Sequence, residues 1–209
     1  MNKLRQRLGF ALALMIAPLA ILGSLPIVPA LAADAPATPA PNPPPIGKSS
    51  HDAATPLLDQ LKTAKSEPEA MVLEAKIWEA WMTSGDAKID AMVQQSVALM
   101  RMQMFDESLA ILDGVVSKAP DYAEGWNRRA TLLYMMQDYG RSLADIQKVL
   151  TLEPRHFGAI SGLGLISMVK GDKSAARDAY RKVLEIDPNN PSAKASVEQL
   201  DKELQGNPI

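Results

Sequence analysis

The residues able to do chemistry are few and scattered. Ser167-Met168-Val169-Lys170 has the S-x-x-K spacing, which can set a lysine one helical turn from a serine nucleophile. That chemistry needs the serine at a helix start and companion motifs such as S-x-N and K-T-G. No K-T-G occurs, and the surrounding pattern puts Ser167 at the end of a helix. Gly162-Leu163-Gly164 has neither the preceding strand nor the following Lys-Ser/Thr of a phosphate loop. The two histidines, His51 and His156, fall in a linker and an inter-unit loop, and a zinc site would need further ligands. Glu153, Glu185 and Asp187 fall near helix ends and read as solvated charges. Cysteine is absent, which removes thiolate metal sites and disulfides. The expectation is a non-enzyme with no catalytic residue, cofactor or metal.

The elements that would position any site follow a period. Pro120, Pro154 and Pro188 are spaced 34 residues apart and close similar tails, SKAPDY, TLEPRH and EIDPNN. A repeat of that length is one helix–turn–helix unit of a stacked array, because a lone pair cannot bury its apolar face. Aligning the prolines gives units 89–122, 123–156 and 157–190. Their eighth positions are Ser96, Ala130 and Gly164, and their twentieth are Ser108, Ser142 and Ala176. All are small, as a close helix crossing demands. Leu112, Ile146 and Tyr180, with Val115, Val149 and Val183, are apolar at helical spacing and predict a core stripe. The fourth positions are Met92, Trp126 and Ile160.

These positions resemble the tetratricopeptide repeat (TPR) family, whose pattern carries Trp, Gly, Ala, an aromatic, Ala and Pro there. The middle unit fits best. Gln95 and Arg129 depart from the pattern at the seventh position, where Leu163 keeps it, and Lys173 replaces a turn aromatic. The resemblance spans the three units, about half of the chain, and implies an all-α solenoid of antiparallel helix pairs. IWEAW, then SGD, then a short array is also similar to exported proteobacterial TPR proteins of undefined role.

The flanks carry their own signals. Lys3, Arg5 and Arg7 precede an apolar run from Leu8 to Val28 and an A-x-A site at Ala30-Leu31-Ala32. This predicts a signal peptide over 1–32 and export to a bacterial periplasm, with no membrane insertion after cleavage. The other reading is an inner-membrane anchor facing the periplasm, against which Pro18, Pro26 and Pro29 interrupt the run. The chain has a formal net charge of −2, and the charged residues that cleavage removes, Lys3, Arg5 and Arg7, are all basic. Nucleic acid is therefore not an expected partner. Residues 33–50 form a Pro-rich linker, extended by its composition; recognition of the linker by a proline-binding domain is the other reading.

Residues 51–88 predict a degenerate helical pair. Leu57, Leu58 and Leu61 mark one helix; Met71, Leu73, Ile77, Trp78, Trp81 and Met82 line the second. Ser66-Glu67-Pro68-Glu69 starts that second helix, and Ser84-Gly85-Asp86 stops it. Trp78 and Trp81 could form a ligand platform; the expectation is that they face the first repeat and close the array at its N-terminal end. Residues 191–204 predict a C-terminal cap helix with Val197, Leu200 and Leu204 on its apolar edge, and 205–209 a frayed tail.

In TPR proteins the first helices line a concave groove. The resemblance puts Val93, Val97, Met100 and Arg101 there, with Asn127, Thr131, Tyr134 and Met135, and with Ser161, Leu165, Met168 and Val169. Some TPR proteins hold a chaperone's C-terminal carboxylate with a clamp of Lys, Asn, Asn, Lys and Arg. The matching residues here are Val93, Val97, Arg128, Gly158 and Gly162, so that partner class is not expected. The mixed apolar and small polar lining suits an extended peptide or a partner's helix. The expected function is a protein-binding adaptor or scaffold, the alternative a structural subunit of an envelope complex using outer faces and end caps. Of the eleven methionines, six sit near the ends of first helices. They read first as fillers of irregular gaps and second as an adaptable surface.

Overall fold

The computed structural model describes residues 46–206. The expected signal peptide, residues 33–45 of the expected linker and residues 207–209 lie outside the described residues. Among the described residues there are nine helices and no strand: α1 (Lys48–Lys62), α2 (Glu67–Trp81), α3 (Ala87–Arg101), α4 (Phe105–Lys118), α5 (Ala123–Met135), α6 (Tyr139–Leu152), α7 (Phe157–Val169), α8 (Lys173–Ile186) and α9 (Pro191–Leu204). The protein is an all-α solenoid. The pairs α3–α4, α5–α6 and α7–α8 are successive repeats, and α9 packs on α8.

Local sequence explains where the helices start. Asp86, Asp138, Asp172 and Asn190 each accept a backbone N–H of the first turn they cap. Ser66 caps α2 in the same way, with a proline in the first turn. Inside each repeat the turn between helices needs one left-handed residue, supplied by Gln103 (φ 60), Gln137 (φ 65) and Gly171 (φ 79).

The six small residues sit where the paired helices meet. The Ser108 hydroxyl donates to the Ser96 carbonyl at 3.0 Å and that of Ser142 to Ala130 at 2.8 Å. A Cβ on Gly164 would stand 2.9 Å from the Tyr180 ring, so a larger residue there would drive the ring out of the core. Val115, Val149 and Val183 are buried beside Leu112, Ile146 and Tyr180. Arg129, the departure at position seven, replaces an apolar contact with a charged one. Its guanidinium binds Asp145 twice at 2.8 Å and Asp113 at 2.9 Å, and lies 4.9 Å over the Trp126 ring. It thereby ties the second helices of repeats one and two to the first helix of repeat two.

The N-terminal pair departs from expectation. Helix α1 begins directly after Gly47, so Lys48, Ser49 and Ser50 belong to a helix rather than to the linker, and His51 is helical. The α1–α2 hairpin does not close the array on repeat one. It runs along the edge formed by the loops between repeats. Gly47 touches Asp121 and Tyr122, His51 binds Glu153, Arg155 binds Asp59, and Asn189 donates to the Ala64 carbonyl. Trp78 and Trp81 pack on His156 and Phe157, at the start of repeat three. Leu73, Ile77 and Trp81 are buried, whereas Met71 is 59% exposed, so Met71 is not on the apolar face.

Candidate functional site

Each first helix presents two ends, and they differ. At the N-terminal end of α5 and α7, charged residues are buried. Glu124 is held by the Arg128 guanidinium at 2.5 Å, the Asn127 amide at 2.9 Å and His156 Nε2 at 3.2 Å. His156 Nδ1 accepts the Ala159 N–H at 3.1 Å as the cap of α7. That bond leaves Nε2 as the protonated nitrogen of the neutral ring, so His156 donates to Glu124. Burial pushes the Glu124 carboxyl up, but Arg128, His156 and Asn127 outweigh it and hold the group below the usual carboxylate range.

Helix α2 lies on this network. The Trp81 indole stacks on the His156 ring at 4.0 Å, and Arg128 contacts Met82 Sδ at 3.1 Å and sits 5.9 Å from the centre of the Trp78 ring. A Cβ on Gly158 would stand 2.6 Å from Trp78 Cη2. The residue matched to a clamp lysine is therefore a glycine because an indole of the same chain occupies the space above it.

The next loop holds a pair of carboxylates. Asp187 is fully buried, and Glu74 of α2 stands beside it and receives an N–H from Asn190 at 3.3 Å. Burial, and then the Asp187 carboxyl, push Glu74 up to about 8, so Glu74 is protonated at neutral pH and donates to Asp187. Glu153 is likewise buried, under His51. The expectation of solvated charges thus fails for Glu153 and Asp187, because the hairpin covers both; Glu185 is exposed.

The C-terminal end of the first helices is more open. Val97, Thr131, Tyr134, Met135 and Met168 are half-buried there, and Arg101 and Val169 are exposed; Ser161 is half-buried too, but near the start of α7. The Tyr134 ring meets Tyr139 edge-on at 5.6 Å. Four of the residues expected in the groove are instead interior. Val93 packs with Ile89, Val115 and Tyr122, Met100 packs with Leu112 and Leu132 between repeats, Asn127 is bound to Glu124, and Leu165 is 4% exposed. Groove and core positions are neighbours on a helix, and a further layer of chain shifts the line between them. Glu124 was missed, and Arg128 and His156, read as a clamp-matched position and a loop histidine, were not joined to it. Their signal was a Glu and an Arg one turn apart with a His at the repeat boundary.

Ser167 is buried near the end of α7 and Lys170 is its exposed C-cap. Among the described residues, no three His, Asp or Glu side chains gather as a metal site would require, and no helix is long and apolar enough to cross a membrane.

The tetratricopeptide repeat profile matches residues 90–122 and 127–191. A TPR repeat-containing protein of Rhizobium etli is 36% identical over 151 residues, covering 72% of this chain and 74% of that protein. The chain belongs to the tetratricopeptide repeat family. The Hsp70-Hsp90 organizing protein of Triticum aestivum is 30% identical over 98 residues, but the match spans 47% of this chain and only 17% of that protein. Among solved structures, the first TPR of Spaghetti (RPAP3), bound to an HSP90 peptide, has a TM-score of 0.54 at 17% identity, covering 58% of this chain and 97% of that one. The Sgt2 TPR domain from Aspergillus fumigatus has a TM-score of 0.53 at 19% identity, covering 57% and 81%. At such identities the structures share the TPR fold. In family terms that fold is a protein-interaction module.

Proposed function

We propose that this TPR protein is a non-catalytic adaptor of a bacterial envelope, exported by residues 1–32, which binds a helix or extended peptide of a partner along the open strip. One observation carries the reading. After the hairpin has covered one end of the first helices, Thr131 and Tyr134 remain half-buried one turn apart on α5, with the Tyr134 ring set against Tyr139. A tyrosine held in place offers area and a polar tip at little entropic cost, the usual make-up of an anchor. Val97 and Met168 extend the strip along the neighbouring first helices with adaptable apolar contacts.

A photo-crosslinking side chain placed at Tyr134 traps an envelope protein on this reading, while the same group at Arg141, on the second helix of that repeat, does not. Trapping at Arg141 and Lys148 but not at Tyr134 would replace the groove with the outer face and make the chain a structural subunit. N-terminal sequencing of the protein recovered from the periplasm gives Ala33 as the first residue; a full-length membrane-embedded species would make 1–32 an anchor.

A further inference from the structure

The second helices of the three repeats start on nearly the same backbone but not on the same side chain. Asp138 before α6 and Asp172 before α8 each accept, through a carboxylate oxygen, the N–H three residues further on, from Arg141 at 3.1 Å and from Ala175 at 2.9 Å. The matching residue before α4 is Met104. Its backbone, φ −83 and ψ 71, is that of Asp138, and Asp172 has φ −83 and ψ 81. Only the acceptor differs, and α4 begins with no side-chain cap. The Glu107 N–H, the counterpart of the two capped groups, has no partner within its own helix. Met104 is 36% exposed, and Met102, on the other side of the left-handed Gln103, is 68% exposed. Neither packs on a buried apolar cluster, whereas Met100 is buried with Leu112 and Leu132.

We infer that Met104 is an oxidation site and that its sulfoxide supplies the cap α4 lacks. The reagent is a two-electron oxygen donor such as hydrogen peroxide. The sulfur lone pair attacks one peroxide oxygen; an S–O bond forms, the O–O bond breaks and the oxidant leaves as water. A thioether is a weak acceptor, and the sulfoxide that replaces it is polar. Its oxygen carries partial negative charge, which the N-terminal end of a helix favours. That oxygen stands three bonds beyond Cβ, one more than in aspartate, and the unbranched methionine chain can fold it back onto the Glu107 N–H. Because the Met104 side chain lies outside the buried clusters, the added oxygen displaces no core packing. The same oxygen on Met100 would enter the core and disrupt it. The inference concerns the turn of repeat one alone and does not depend on a partner at the open strip.

The chain has no cysteine, so methionine oxidation is read without thiol background. The full chain is treated with a limited dose of hydrogen peroxide, oxygen uptake is mapped by peptide mass, and exchange of the Glu107 amide hydrogen is followed by NMR. Met71, Met102 and Met104, the exposed methionines, take up oxygen while Met100 stays reduced. Exchange at Glu107 slows about fivefold, the usual worth of one N-cap, and methionine sulfoxide reductase restores the original rate. Met104→Asp, which copies the other two repeats, gives the same slowing without oxidant. Met104→Leu, oxidised at Met71 and Met102 only, gives none. A Met104 that stays reduced at the dose that converts Met71 overturns the inference. Unchanged or faster exchange at Glu107 once Met104 carries its oxygen overturns it too, and leaves Met104 an exposed thioether with no capping role. Equal slowing in oxidised Met104→Leu has the same force, because the effect would then come from another sulfur.

Discussion

The two ends of the first helices have the same backbone and opposite surfaces. At the N-terminal end, Glu124, Asn127, Arg128 and His156 are buried and paired with one another beneath two indoles. At the C-terminal end, Val97, Thr131, Tyr134 and Met168 are only half covered. The first end spends its polar groups on holding the hairpin. The second leaves the Tyr134 ring and its neighbours partly uncovered. A concave TPR surface is thus not one site; a flanking segment decides how much of it is open.

Breaking the buried network should have the largest effect. Glu124→Ala leaves the Arg128 charge buried without its carboxylate, which typically costs about 3–5 kcal/mol. A denaturant midpoint unchanged from wild type would show that the network is not structural. The pair also sets a lower pH limit. Because Glu124 is held below its ordinary value in the fold, its contribution is intact above about pH 4.5 and is lost as pH falls through the folded value.

Packing gives the next test. Ala130→Leu forces bulk into a crossing where the Ser142 hydroxyl meets the Ala130 carbonyl at 2.8 Å, for about 1–3 kcal/mol. Thr131→Leu, on the half-open side of the same helix, should cost within about 0.5 kcal/mol. Equal melting shifts for the two would mean the repeat phase is wrong. Gly158→Ala crowds Trp78 in the same way and should redden the indole fluorescence as α2 lifts.

The carboxylate pair has the opposite sign to Glu124. Glu74 is raised from 4.5 to about 8, so the folded chain holds a proton there that the unfolded chain has already lost. Stability is therefore fully present below about pH 4.5 and declines as pH rises through about 8. The loss should be on the order of 1–3 kcal/mol after discounting for the partly open position. Glu74→Gln supplies a permanent donor to Asp187 and should flatten this alkaline decline. An unchanged pH profile in that variant would mean the pair does not share a proton.

The smallest effect on stability, and the largest on binding, belongs to the open end. On the proposed function, Thr131→Ala with Tyr134→Ala should leave helicity intact by circular dichroism and reduce crosslinking of the partner trapped at this strip. Asn127→Ala is unsuited to that test, since its amide is bound to Glu124 and its removal disturbs the fold.

The repeats were legible from the chain alone because each is a local object. Small residues at one spacing, valines at another and a proline at the end encode a helix pair whose partners lie within one period. The small and valine positions are buried as expected, and the prolines stay exposed in the loops. The Ser66 cap was legible for the same reason, since a cap is satisfied within its own first turn; Asp86 read only as the end of the preceding helix and also caps the next. What only the tertiary structure decided was where the off-pattern hairpin lies. Nothing within residues 51–88 says which loops it will meet; that depends on three loops brought into one line by the stacking of repeats. Glu153 and Asp187 read as solvated, and Asn127 as a groove residue, because burial is a property of the whole assembly. A charge stays in water until another element covers it, and here that element comes from the far end of the chain.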